Sequence, residues 1–166
     1  KALGQVSYPP MATVYSVFKK SSVGHPLDGF GGLHPQKEGL FTAGSIWNSS
    51  TFSGKCPDDE VLLTTFIGGE LYRERALMPE DEILNRVTEE LKKLYQITGE
   101  PVFQHFYRWE KAIPQYDTSI ITAHEEAEKA ESEGLFVAAN WKDGISLADA
   151  FKKAKDLGEL LKKSRS

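Results

Sequence analysis

A single cysteine, Cys56, is all the sequence offers, so no disulfide can close within the chain and no paired-cysteine metal knuckle exists. A cytosolic compartment fits that scarcity. No apolar run approaches the length of a membrane-spanning helix. Positive charge is in deficit: 20 Lys and Arg against 24 Asp and Glu leave a net −4, which gives nucleic acid no electrostatic reason to bind. There is no GxSxG nucleophile turn, no HExxH zinc helix and no Walker loop. The histidines, His25, His34, His105 and His124, show no metal-ligand spacing, so no metal is expected. No signal peptide is visible, and the chain opens at Lys1 without a methionine, which suggests a processed, trimmed or excised piece.

What is present has an ordinary globular composition, 40% apolar and 27% charged over 166 residues, enough for one domain of common size. Residues 11–18, MATVYSVF, read as a strand rich in aromatic and β-branched residues. GHPLDGFGGLHP, 24–35, reads as a loop or loose hairpin; its glycines do not sit between a strand and a helix, so it is no phosphate cradle. Residues 39–47 and 60–69 read as two more strands. Residues 79–95 give the clearest helix: Pro79 and three acidic residues suit its start, and Ile83, Leu84, Val87, Leu91 and Leu94 make one apolar stripe. Residues 101–109 alternate, with Val102, Gln104, Phe106 and Arg108 on one face and Phe103, His105, Tyr107 and Trp109 on the other. A helix is expected over 119–133; its glutamates read as a solvated face.

The end of the chain poses a problem. Residues 135–139 read as a short, wholly apolar strand, followed by a polar turn and a last helix. In that helix Leu147, Ala150, Phe151, Ala154, Leu157 and Leu161 form an apolar stripe expected to be buried. An apolar strand feeding a helix is the pattern of a parallel sheet covered on both faces, and one such unit cannot build that sheet alone. The tail therefore reads as built to dock on something outside the chain. Ser146 is placed as an N-cap with Asp149 three residues on, a capping-box spacing, and the N–H groups of Ile145, Ser146 and Leu147 would point out of the helix start. Such a start attracts negative charge. An ordinary capped helix is the plainer reading and is preferred on the residues alone. The basic residues near the end, Lys152, Lys153, Lys155, Lys162, Lys163 and Arg165, read mainly as a wet face that complements the helix dipole.

Six motifs occur in order: YPPMATVYSVF, HPLDGFGGLHP, AGSIWNSSTFSGKCP, VLLTTFIGG, RWEKAIPQY and GLFVAANWKDGISLADA. Together they resemble the C-terminal part of the protoporphyrinogen oxidase family, FAD-dependent enzymes of haem biosynthesis within the amine-oxidase-like flavoproteins. The resemblance covers nearly all of residues 5–161. The family's N-terminal GxGxxG fingerprint is absent, so the chain resembles roughly the last third of such an enzyme.

The resemblance implies an α+β fold: a mixed, mainly antiparallel sheet with flanking helices, followed by a βα tail that would belong to an FAD-binding domain. Residues 1–118 would be part of a substrate-binding-type domain, and 119–166 a helix plus the returning strand and helix of the FAD-binding domain. It implies FAD as cofactor of the intact protein, bound weakly or not at all by this chain alone. Cofactor-binding roles fall on the backbone of Ile145, Ser146 and Leu147, facing the pyrimidine edge of the flavin, and on Trp109 against the ring. No general base is nominated. The implied partners are a missing N-terminal FAD-binding part and a tetrapyrrole substrate, with a homo-oligomer through the exposed tail as a further expectation. The intact enzyme is expected in the cytoplasm, with peripheral membrane attachment left open. A stand-alone, non-catalytic module that binds a partner chain or a hydrophobic ligand is the alternative reading. It should cap its own strand at 135–139, whereas a fragment should not.

Overall fold

The β-branched and aromatic residues of Met11–Lys19 (β1) place that strand inside a five-stranded sheet. The chain is described here from a computed structural model over residues 2–142 and 144–163; Asp143 of the expected turn and Arg165 of the basic tail lie outside them. The other strands are Gly31–Leu33 (β2), Gly44–Trp47 (β3), Glu60–Gly68 (β4) and Phe103–Trp109 (β5). Their order is β2-β3-β4-β1-β5, and every pairing is antiparallel. The helices are Asn48–Thr51 (α1), Arg73–Ala76 (α2), Glu80–Tyr95 (α3), Ser119–Ser132 (α4) and Leu147–Lys163 (α5).

One sheet face packs on α3. Ile83, Val87 and Leu91 are fully buried there against Ala12, Val14, Phe18, Leu63 and Ile67, as the stripe predicts. Each such side chain contributes about 1.5–3 kcal/mol. The helix follows Pro79 at its N-cap and ends at Gln96, whose left-handed φ of 52° fills the position glycine usually takes. β5 alternates as expected: Gln104, Phe106 and Arg108 turn inward. Gln104 Nε2 donates to Ser16 Oγ (3.1 Å) and Thr88 Oγ1 (3.0 Å), and Arg108 donates to Ala76 O (2.7 Å) and Met78 O (2.5 Å).

The chain divides into two compact units, Pro9–Ala112 and a second made of Lys1–Tyr8 with Ile113–Ser166. The division falls at Ala112, not at 118, and the N-terminal residues join the tail. The reason is local. Val6 packs in a small core with Ala123, Ala127 and Trp141, and Gln115 N donates to Ser7 O at 2.9 Å.

Three expectations are corrected. The region 24–35, expected as a loop or loose hairpin, holds one strand, β2, whose antiparallel partner lies outside that region. It pairs with β3 at close quarters: a Cβ on Gly31, whose φ is +136°, would stand 2.1 Å from Ser45 O. Of residues 39–47 only Gly44–Trp47 is strand, since Phe41 and Thr42 turn their N–H groups to Glu90 instead. Residues 135–139 pair with no strand among the described residues, because a strand needs a neighbouring strand and the described residues of this unit form only helices and turns.

Candidate functional site

The turn before α5 is closed by its own side chains. Ser146 Oγ accepts from Asp149 N (3.0 Å) and donates to Asp149 Oδ2 (2.6 Å), and Ser146 N donates to the same carboxylate at 3.2 Å. This is a complete capping box. The Ser146 hydroxyl first, then its N–H, holds the Asp149 carboxyl below the usual carboxylate range. Gly144 enters with φ +117°, and a Cβ there would meet Asp149 Oδ2 at 2.6 Å. Of the three nominated N–H donors, that of Ser146 is therefore occupied by the cap. Those of Ile145 and Leu147 have no hydrogen-bond partner among the described residues, and both residues are exposed.

Lys153, one and a half turns into α5, reaches back over the turn. Its Nζ donates to Ala139 O (3.2 Å), to Lys142 O and to Gly144 O (2.6 Å). Nothing in the sequence marked it out from the other lysines of the helix, because its partners are backbone carbonyls. The apolar stripe of α5, expected to be buried, is largely exposed: Leu147 is 76% and Phe151 72% accessible, Ala150, Ala154 and Leu161 are exposed too, and Leu157 is half-buried. Its own unit offers no surface for this stripe among the described residues.

Trp109 belongs to the sheet unit. It ends the outward row of β5, in which Phe103, Tyr107 and Trp109 are 57%, 49% and 40% accessible and His105 is exposed. Tyr107 and Trp109 meet edge to face at 4.4 Å between centroids. Antiparallel register continues the row across β1 and β4 in four rungs: Phe103–Val17–Leu62, His105–Tyr15–Thr64, Tyr107–Thr13–Phe66 and Trp109–Met11–Gly68. The face thus carries an aromatic row that the alternation placed correctly, though its exposure could not be read from the pattern.

The other aromatic and titratable candidates are structural. Trp141 is 5% accessible in the small core, edge to face with His124. Trp47 packs with His25 and Tyr95. Burial, and then the charge of Glu60, pushes the Cys56 thiol up, so it is no activated nucleophile. Among the described residues no three His, Cys, Asp or Glu side chains gather to hold a metal ion, and no helix is long and apolar enough to cross a membrane.

The ordered motifs and this geometry agree with what the chain is similar to. The model of the family described as flavin containing amine oxidoreductase matches residues 1–155. The chain belongs to the flavin-containing amine oxidoreductase family. Within it, the chain is 39% identical over 150 residues to protoporphyrinogen oxidase 2, chloroplastic/mitochondrial, of Arabidopsis thaliana, which covers 87% of this chain and 30% of that protein. Mitochondrial protoporphyrinogen oxidase of Nicotiana tabacum is 35% identical over 162 residues, 95% of this chain and 32% of its own length. Coproporphyrinogen III oxidase of Bacillus subtilis is 24% identical over 148 residues, 87% of this chain and 32% of its own. The chain thus spans about a third of these curated relatives. In fold it is similar to a candidate protoporphyrinogen oxidase from Exiguobacterium sp. 255-15, with TM-score 0.81 and 21% identity over 97% of this chain and 36% of that one. It is also similar in fold to reduced UDP-galactopyranose mutase, with TM-score 0.67 and 11% identity over 83% of this chain and 29% of that one.

Proposed function

We propose that this chain is the substrate-side and returning C-terminal part of an FAD-dependent oxidoreductase that oxidises protoporphyrinogen or a close tetrapyrrole. The observation that carries the reading is the 39% identity to Arabidopsis protoporphyrinogen oxidase 2 across 87% of the chain. The flavin, when bound by the whole protein, supplies acceptance of hydride from the substrate and passes electrons to oxygen or another acceptor.

The residues of the chain fit that role. The free N–H groups of Ile145 and Leu147 lie at the positive end of the α5 dipole and would face the pyrimidine edge of the flavin, where reduction concentrates negative charge. The N–H of Ser146 serves the cap in this structure and supports the other two by fixing the turn. Trp109 and the aromatic row beside it form an exposed aromatic wall suited to planar rings. The exposed stripe Leu147, Ala150, Phe151, Ala154 and Leu161 is the surface that the N-terminal FAD-binding part would cover, with residues 135–139 pairing into its sheet. On this reading the isolated chain retains no FAD, since the groups that hold the pyrophosphate lie elsewhere in the enzyme.

The test is a graft. The matched segment of Arabidopsis protoporphyrinogen oxidase 2 is replaced by this chain, and the purified chimera is assayed for bound FAD and for fluorescent protoporphyrin formed from protoporphyrinogen. Retained flavin with product formation is expected. A folded chimera without flavin overturns the cofactor assignment. Flavin without product overturns the substrate assignment.

A further inference from the structure

The Lys153 ammonium carries three N–H donors, and three carbonyl oxygens meet it: Ala139 O at 3.2 Å, Lys142 O, and Gly144 O at 2.6 Å. Its neighbours Lys152 and Lys155 are exposed, whereas Lys153 is half-buried. The nearby acids are otherwise engaged. Glu131 pairs with Lys142, and Asp149 is bonded to Ser146. Of the three carbonyls, that of Gly144 matters most. It shares a peptide group with the Ile145 N–H, and no peptide bond is cis, so the two point in opposite directions. Lys153 draws the oxygen to one side. The N–H therefore faces the other way, where it has no partner among the described residues, on a residue that is 41% accessible. This peptide needs an anchor because it follows a glycine. Gly144 stands at φ +117°, and glycine takes either sign of φ readily, so without Lys153 the peptide is free to turn over.

We propose that Lys153 is a positioning residue: it holds the Gly144–Ile145 peptide so that the Ile145 N–H faces the pyrimidine edge of the flavin. The inference rests on the function proposed above and adds what aims the donor. Two effects act together. The hydrogen bond fixes the orientation of the peptide. The ammonium also polarises the carbonyl, which strengthens the N–H on the other side of the same peptide as a donor. The hold extends to Ala139 O and Lys142 O, so one side chain ties the stretch before the turn to the helix after it. The three N–H groups of the turn are thus set by different means. Asp149 takes that of Ser146, the start of α5 fixes that of Leu147, and Lys153 sets that of Ile145.

The experiment has two arms. The first uses the 166-residue chain without flavin. Lys153→Met removes the ammonium and keeps an apolar stem, and Lys153→Arg keeps a charged donor. In Lys153→Met the carbonyl carbon of Gly144 and the amide nitrogen of Ile145 should shift, while Leu147–Phe151 keep helical carbon shifts. Lys153→Arg should return both resonances toward the wild-type values. Unmoved Gly144 and Ile145 resonances overturn the proposal, because the peptide is then not held. Loss of the helical shifts also overturns it, because Lys153 is then a prop of α5. The second arm measures the flavin midpoint potential in the grafted enzyme for Lys153→Met, Lys153→Arg, Ile145→Pro and the double variant Lys153→Met with Ile145→Pro. Lys153→Met and Ile145→Pro should each lower it, and Lys153→Arg should restore it. The double variant should fall no further than Ile145→Pro, since the N–H that Lys153 aims is already gone. Additive losses show a charge acting through space, and a wild-type potential in Lys153→Met shows no effect on the flavin; either overturns the proposal. A wild-type potential in Ile145→Pro, or a graft that holds no flavin, strikes the flavin assignment itself, and the role of Lys153 toward it falls too, while the first arm still shows whether the peptide is held.

Discussion

Glu90, midway along α3, holds Thr42: its Oε1 accepts from the Thr42 N–H at 3.0 Å and from the Thr42 hydroxyl at 2.5 Å, while Oε2 takes the Phe41 N–H at 2.6 Å. One carboxylate thereby fixes the loop that leads into β3. Arg75 secures the same loop by donating to Leu40 O and Phe41 O while its guanidinium lies 3.6 Å from the Tyr72 ring centroid. Glu90→Ala leaves the Phe41 and Thr42 N–H groups without an acceptor, while the Thr42 hydroxyl keeps His34 Nδ1 at 2.7 Å, and should cost about 1–3 kcal/mol. Glu90→Gln keeps one oxygen and should cost less. Urea denaturation gives the ranking, and faster amide exchange at Phe41 and Thr42 identifies the cause. A wild-type midpoint for Glu90→Ala would assign the loop to Arg75 alone.

The capping box of α5 predicts a pH response. The Asp149 carboxyl is depressed by the Ser146 hydroxyl and N–H, so its contribution is complete above the unfolded value, near pH 4. That contribution is lost as the pH falls through the lower folded value. Backbone carbon shifts of Leu147–Phe151 should keep their helical values down to about pH 4 and lose them below it. In Ser146→Ala the first turn should already be frayed at neutral pH, and Asp149 should titrate higher. An unaltered Asp149 titration in that variant would show that the cap does not persist in solution.

Two leucines with the same chemistry should behave oppositely. Leu91 is fully buried in α3, and Leu91→Ala should cost about 2–5 kcal/mol. Leu147 is exposed in α5, and Leu147→Ala should stay within about 0.5 kcal/mol in the isolated chain. In the grafted enzyme the second substitution should acquire a cost, seen as a lower Tm, once the helix has a surface to cover. A Tm that is indifferent to Leu147→Ala in the graft would remove the stripe from the interface.

Leu147 is also the first helical residue of α5, the position at which proline is best tolerated. Leu147→Pro in the grafted enzyme deletes one backbone donor and preserves the helix. It should make the flavin harder to reduce, measured as a lower midpoint potential in a dye-equilibrated titration. Ser146→Ala keeps every backbone donor and only loosens the turn, so it should lower the potential less than Leu147→Pro does. Equal potentials for wild type and Leu147→Pro, with flavin bound in both, would reduce this turn to a helix cap.

How much of this was legible depended on where each residue's partner lay. The stripe of α3 and the alternation of β5 are periodic, and both elements appear where the periodicity places them. β2 escaped because Gly31 and Gly32 carry no side-chain pattern; the contact that makes it a strand is backbone against backbone. Residues 135–139 have the composition of a strand but lack a neighbour, and composition cannot supply one. Lys153 was read as part of a wet face, and nothing in the sequence singled out Glu90 or Arg75, because each is engaged chiefly by main-chain groups beyond its own helix turn. At the candidate site the Ser146–Asp149 spacing was readable, whereas the loss of the Ser146 N–H to its own cap required the geometry.

The joining of residues near Val6 to α4 and Trp141 makes the sheet unit an insertion in another unit's chain. Pro9 and Ala112 mark where it leaves and returns, and they are hydrogen-bonded, Ala112 N to Pro9 O at 3.1 Å. A module entered and left through a single paired neck can be exchanged at two junctions only. Substrate-side sequence can therefore diverge, or be transplanted between relatives, while the host unit keeps its own small core.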